Sequence, residues 1–227
     1  MFDATQSKTY IDRIHFREWT VYSGISEEIT EINLETYDDK EEIAEFLGWK
    51  GYGGRGGWVC RSIDIENNQL TGVGQFKPDT PYEFLDKSTA KYLSPKSGYD
   101  ALALSMPDHN YWEGVKNDIS QTIHITEGAK KAASLLSEGY PTLALVGVTM
   151  WQKDGKLVHN IKCLVQPGRR IIILFDADQT SNEKIRYEQC KLGRKLTENG
   201  CDVYIASWDI DLGKGIDDVK VNMVLTR

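Results

Sequence analysis

The 227 residues are 40% hydrophobic and 27% charged, with a formal net charge of −7. That is enough apolar material to fill a compact core in each of two subdomains, and no apolar run approaches the roughly eighteen residues of a membrane span. The first residues, Met1-Phe-Asp-Ala-Thr-Gln-Ser-Lys8, lack the basic and apolar regions of a signal peptide, so a cytoplasmic protein with no membrane partner is expected.

The net charge does not exclude a nucleic-acid partner, because the negative charge is local. Between Ser26 and Phe46 nine acids (Glu27, Glu28, Glu31, Glu35, Asp38, Asp39, Glu41, Glu42, Glu45) meet one base, Lys40, which leaves the rest of the chain at +1. Within this stretch Ile43, Phe46 and Leu47 recur at helical spacing, which predicts a short helix ending at Gly48 with its acids on the solvated face. The alternative is a docking face for a basic partner. Gly51-Tyr-Gly-Gly-Arg-Gly-Gly-Trp58 is too glycine-rich for a regular element. It reads either as a connection into the next strand or as a loop whose amides, Tyr52 and Arg55 touch a phosphate backbone or base.

Trp58 to Ile65 and Leu70 to Phe76 are strand-like and flank Glu66-Asn67-Asn68-Gln69, which predicts a hairpin. Lys77, Lys87, Lys91 and Lys96 interleave with Phe76, Tyr82, Phe84 and Tyr92. Bases among aromatics suit single strands, although such lysines are often plain solvated charges and such aromatics often core. Cys60, Cys163, Cys190 and Cys201 show no Cys-x-x-Cys pair and no histidine at ligand spacing. Buried free thiols are therefore expected, rather than a zinc ribbon or a disulfide framework.

Further along, residues 119–126 predict a strand, 128–138 a helix closed by Gly139 with Pro141 beyond it, and 142–148 a strand. Residues 171–175 predict a strand buried on both faces, about 180–198 an amphipathic helix ending at Asn199-Gly200, and 202–207 another strand. An acidic loop over 209–218 follows. This alternation means a parallel sheet, in which ligands bind outside the strand carboxyl ends. One rim is thereby expected to collect Glu127, the pair Asp176 and Asp178, and Asp217 with Asp218. Such hard oxygen donors suit Mg²⁺ or Mn²⁺, which keep waters and phosphate oxygens as further ligands and so point to phosphoryl or nucleotidyl chemistry. Capping of the following helix is the plainer reading of Asp176 and Asp178, but it explains one acid and not the whole set. Lys130 and Lys131 fall in the first turn of a helix, where the dipole disfavours cations unless an anion is near, and a phosphate is the expected anion.

Thr126-Glu127-Gly128, Phe175-Asp176-Ala177-Asp178 and Lys214-Gly215-Ile216-Asp217-Asp218, in this order, resemble the TOPRIM module shared by bacterial primases, topoisomerases and some nucleases. Upstream, Leu70-Thr-Gly-Val-Gly-Gln-Phe-Lys77 and Ala90-Lys91-Tyr-Leu-Ser-Pro95 are similar to the segment before TOPRIM in the catalytic core of bacterial primases. Lys-Tyr-Leu-Ser-Pro followed by Ile-Thr-Glu-Gly-Ala-Lys-Lys is similar to uncharacterised primase-like proteins of plasmids and phages. The resemblance implies an α/β chain with a Rossmann-like TOPRIM domain over 116–227, its mainly parallel sheet flanked by helices, preceded by a smaller α+β subdomain over 1–115.

It further implies metal-dependent nucleotidyl transfer, with single-stranded DNA and nucleoside triphosphates as partners and a separate replicative helicase beside them. Asp176 and Asp178 would hold Mg²⁺ or Mn²⁺, supported by Asp217 or Asp218, and Glu127 would act as ligand or general acid/base. Arg55, Lys77, Lys91, Lys130, Lys131 and Lys214 would contact nucleic acid or phosphate. Lys131 stands where bacterial primases typically carry an acid, and their separate zinc-binding domain has no counterpart here. Two other readings stay open: a TOPRIM nuclease cleaving DNA, and a non-catalytic module that binds nucleic acid or a replication partner. With no Gly-x-x-x-x-Gly-Lys-Ser/Thr loop, an in-chain helicase motor is excluded.

Overall fold

The computed structural model describes residues 10–177 and 182–225. Asp12 caps α1 (Arg13–Thr20) by accepting from the Ile14 amide, and Ser26 caps α2 (Glu27–Asn33) from the Ile29 amide. After β1 (Glu35–Tyr37) comes α3 (Lys40–Leu47), the helix expected from the acidic stretch. Asp39 caps it, Ile43 and Leu47 bury its apolar face, and Gly48 ends it at φ +65°. β2 (Gly57–Ile63) and β3 (Leu70–Pro78) form the expected hairpin, with β1 antiparallel on the other edge of β2. A small ribbon of β4 (Tyr82–Glu83) and β5 (Thr89–Ala90) follows. Its Tyr82 and Phe84 join Trp49 and Tyr52 in an aromatic group with ring centroids 5.1 to 6.3 Å apart.

The second half runs α4 (Tyr111–Asn117), β6 (Ile123–Glu127), α5 (Ala129–Leu136) and β7 (Thr142–Leu145), then the ribbon β8 (Gln152–Lys153) and β9 (Lys156–Leu157). It continues through α6 (His159–Leu164), β10 (Arg170–Leu174), α7 (Glu183–Glu198) and β11 (Asp202–Ile205), a 3₁₀ turn (Ile210–Leu212) and α8 (Ile216–Leu225). The expected parallel sheet is present, with strand order β11-β10-β6-β7. Ile125, Leu143 and Ile173 are fully buried in it, each contributing roughly 1.5–3 kcal/mol. Ala101 to Leu104, also fully buried, joins the two sheets: Ala103 bridges to Ile63 of β2 and Leu102 to Ala144 of β7. One core cluster accordingly unites Trp19 and Trp58 with Ile123, Leu143 and Leu192.

Three expectations need correction. Residues 209–218 are not a loop: α8 begins at Ile216, so Asp217 and Asp218 occupy its first turn, where the helix dipole favours acids. The thiols are not uniformly buried, since Cys163 is half-buried and Cys190 exposed, while Cys60 and Cys201 are buried. A histidine does stand at ligand spacing, because His159 and Cys163 lie four residues apart on α6. No helix among the described residues is long and apolar enough to cross a membrane.

Candidate functional site

Chain order and spatial order in the parallel sheet diverge at one place. β6 leads outward to β7 through α5, whereas β10 leads the opposite way to β11 through α7, so the topological switch lies between β6 and β10. In such sheets ligands bind outside the strand carboxyl ends at this point. Thr126 pairs with Leu174 across it, which puts Glu127, the last residue of β6, beside Asp176, two residues beyond β10.

The turn after Glu127 depends on Gly128, whose φ of +85° and ψ of 142° are open to glycine and strained for other residues. Its amide donates to the Leu145 carbonyl at 2.8 Å. α5 has no side-chain cap of its own. The buried Gln75 of β3 supplies one, its Oε1 accepting from the Ala129 amide at 3.0 Å.

Asp176 is held from two directions. Lys131 Nζ lies 2.5 Å from its Oδ1 and Lys214 Nζ 3.9 Å from its Oδ2, while the Ala177 amide donates to the Lys214 carbonyl at 2.9 Å. Asp217 is buried and accepts from the Ser23 hydroxyl at 2.8 Å, and Asp218 accepts from the Gly215 amide at 2.9 Å. A Cβ at Gly215 would stand 2.5 Å from both Asp217 Oδ1 and Lys131 Cε, so any side chain there must displace one or both of these rim side chains.

Facing this rim are residues of the first half. Glu18 of α1 receives Lys77 at 2.7 Å, Lys130 at 2.8 Å and the Trp58 indole N–H at 3.2 Å. Burial pushes the Glu18 carboxyl up, but the Lys130 and Lys77 ammoniums outweigh it and hold it below the ordinary range. Desolvation first, then the neighbouring Lys130, Lys77 and Lys131 charges, lowers Lys91, which Glu18 partly offsets. At the centre lies Tyr92. Burial raises its phenol, and the Glu18, Asp217, Asp176 and Glu127 carboxylates, all near enough to act on it, raise it further. Four acids from four separate stretches of chain thus act on one ring.

The expected residues are therefore largely together. Glu127, Asp176, Asp217 and Asp218 line the rim, with Lys77, Lys91, Lys130, Lys131 and Lys214 around it. Asp178 lies outside the described residues. Arg55 is not part of the assembly; it lines another cleft with Lys40, Thr80 and Tyr82. The anions beside Lys130 and Lys131, expected to be phosphate, are here Glu18 and Asp176. Among the described residues the rim acids do not bring three ligand atoms within 4.8 Å of one another. They form an open set of hard oxygens in which Asp176 already attracts cations, a fit to a metal that retains waters and substrate oxygens rather than to a closed cage. Sequence reasoning missed Glu18, Gln75 and Ser23. The unbalanced pair Lys130-Lys131 was the one signal that nearby carboxylates were owed.

Comparison with known proteins bears on this arrangement. The profile of a family described as a domain of unknown function (DUF3854) matches residues 111–225. An uncharacterised protein of Picosynechococcus sp. is 28% identical over 265 aligned positions, which cover 93% of this chain and 26% of the relative. The chain thus spans about a quarter of the length of the curated relative it matches. Among solved structures, the Aquifex aeolicus primase (zinc-binding and RNA polymerase domains) superposes with a TM-score of 0.56 at 16% identity, covering 95% of this chain and 55% of that one. The RNA polymerase domain of Mycobacterium tuberculosis primase gives a TM-score of 0.49 at 14% identity over 93% of this chain and 75% of that one. The fold is primase-like, an α/β architecture with a four-stranded parallel sheet flanked by helices.

Proposed function

The chain belongs to the DUF3854 family, and we propose that it carries a TOPRIM-type centre for metal-dependent nucleotidyl transfer, extending a strand from nucleoside triphosphates on single-stranded DNA. The observation that supports this reading is that β6 and β10 end side by side at the switch point, which brings Glu127 and Asp176 to one rim near the lysines gathered about Glu18. Acids there suit a cation, and ammoniums opposite suit phosphates.

Mg²⁺ or Mn²⁺, when bound, would be held by Asp176 with Glu127 and with Asp178 from the undescribed segment, and would neutralise charge on the phosphate being transferred. Lys131 and Lys214 orient the Asp176 carboxylate, and their ammoniums would offer phosphate oxygens a partner. Lys77, Lys91 and Lys130 follow the strand backbone, each exchanging part of its interaction with Glu18 or its neighbours for a phosphate. Glu127 holds the proton leaving the attacking hydroxyl, the role its place at the end of the central strand allows. Asp217 braces the rim through Ser23.

One observation favours a second reading, a module that binds nucleic acid without turnover: the Lys131 ammonium already neutralises Asp176. Incubating the protein with single-stranded circular DNA, labelled nucleoside triphosphates and Mn²⁺ separates these. Short new products that vanish in Asp176→Asn support transfer, fragments of the circle support a nuclease, and binding with neither supports the module.

A further inference from the structure

Away from the rim, on the face where the β2–β3 turn meets α6, lies a group of donors of different chemistry. Glu66, His159 and Cys163 each offer a ligand atom, and all three atoms lie within 4.8 Å of one another. Cys163 Sγ is 3.5 Å from His159 Nε2, which is 3.8 Å from Glu66 Oε2 and 3.0 Å from Asp64 Oδ1. We propose that Glu66, His159 and Cys163 bind one Zn²⁺, with Asp64 beside them as the nearest further oxygen, and that the ion staples the β2–β3 turn to α6.

The spacing agrees with that ion. Zn–S bonds of about 2.3 Å and Zn–N or Zn–O bonds of about 2.0–2.1 Å in a tetrahedron put neighbouring ligand atoms roughly 3.3–3.6 Å apart. The S···N separation of 3.5 Å lies in this range, and the N···O separation of 3.8 Å to Glu66 is just above it. The donor set agrees as well. A thiolate and an imidazole select a borderline-soft ion such as zinc over Mg²⁺, in contrast to the all-oxygen rim. His159 and Cys163 share one helix face by their spacing of four.

Both segments are fixed in place before any ion arrives. Asn160, 1% exposed, accepts from the Ile65 amide with Oδ1 at 3.1 Å and donates through Nδ2 to the Ile63 and Ala101 carbonyls at 2.9 Å each. The turn is further held by the Glu66 amide on Asp64 Oδ1 at 2.8 Å and the Asn68 amide on the Asp64 carbonyl at 2.8 Å. Donors nearly a hundred residues apart in the chain are thus positioned by a buried amide rather than by chance contact of surface side chains. The competing charge is Lys116, whose ammonium is 3.9 Å from Glu66 Oε1 and would yield to a dication. On binding, the Cys163 S–H bond breaks, its proton passes to solvent and the electron pair forms the Zn–S bond, with no change of oxidation state.

Titrating the reduced, chelator-treated chain with Co²⁺ tests this. The expected result is a near-ultraviolet thiolate-to-cobalt charge-transfer band that saturates at one equivalent and is displaced by Zn²⁺. It should be lost in Cys163→Ser and in His159→Gln, and need at least tenfold more Co²⁺ in Glu66→Gln, an exposed position whose change leaves the fold intact. Cys190→Ser and Asp176→Asn should keep the wild-type band, which separates this site from the exposed thiol of Cys190 and from the rim. A folded wild-type chain with no band, or a band that survives Cys163→Ser, would overturn the proposal, as would loss of the band in Cys190→Ser.

Discussion

If Lys131 occupies the place of a metal ion on Asp176, removing its charge should make the rim a better metal site. In Lys131→Met the aliphatic stem that packs against Gly215 is retained while the ammonium is deleted. The two side chains are 20% and 14% exposed. Deleting one partner of a fully buried pair costs about 3–5 kcal/mol. Partial solvation, together with Lys214 at 3.9 Å from the other oxygen, reduces this to about 1–2 kcal/mol here. In chelator, urea unfolding of the variant should show a loss of that size. In saturating Mn²⁺ the loss should largely disappear, because the dication then supplies the charge that Lys131 supplied. The same free energy appears as affinity, so calorimetric titration should find Mn²⁺ bound roughly five- to thirtyfold more tightly by the variant. Unchanged or weaker Mn²⁺ binding, with equal destabilisation in chelator and metal, would refute the view that the ammonium and the ion share one position.

The other predictions probe the surroundings. Gly215→Ala should cost about 1–3 kcal/mol by urea midpoint, since its Cβ meets Asp217 Oδ1 and Lys131 Cε at 2.5 Å. Gly114→Ala, in the open on α4, should instead stabilise by about 0.5–1 kcal/mol, and equal effects at the two sites would remove the case for crowding at the rim. Lys77→Ala and Lys91→Ala should each lower the salt slope of single-stranded DNA affinity by about 0.7, read by fluorescence anisotropy across a salt series; an unaltered slope in the double variant would move the binding surface elsewhere. His124, buried with Nδ1 on the Pro141 carbonyl, has its pKa lowered by burial, so below the ordinary value of 6.5 the unfolded chain takes up a proton the native ring resists. Its contribution to stability is complete above pH 6.5 and is lost as pH falls towards the native pKa. Unfolding of wild type and His124→Gln at pH 7.5 and 5.5 checks this, a smaller loss being expected in the variant.

The fold was readable where one rule governed each element. α3 could be bounded from both ends, because Asp39 and Gly48 act locally and Ile43 and Leu47 share a face. β10 showed itself as Ile171-Ile172-Ile173-Leu174, an apolar run of the kind a parallel sheet buries. The reading failed where an acidic, glycine-containing stretch looked like a loop. In 209–218 the charge of Asp217 and Asp218 suggested solvent, whereas in the fold both sit at a helix N-terminus and Asp217 lies against Ser23, nearly two hundred residues earlier. Nothing local to residue 217 reports a partner at residue 23.

The rim divides along the same line. Glu127 and Asp176 were legible because strand ends, known from apolar runs, bring carboxylates to a common edge whatever the distance in sequence. Their electrostatic setting was not, because it comes from α1 and β3. Glu18 sits in a helix whose pattern is set by the buried His15 and Trp19, and on that helix it looks like one more solvated acid. Only folding places it between Lys77 and Lys130, where it holds both ammoniums beside the rim and offsets the α5 dipole that disfavours Lys130. The two lysines in the first turn of α5 were an unpaid debt visible in the sequence, and the debt is met by carboxylates on both sides: Glu18 for Lys130, Asp176 for Lys131. A chain that holds its cations on its own acids binds a phosphate or a metal by exchange, so affinity for either one should depend on the other being present.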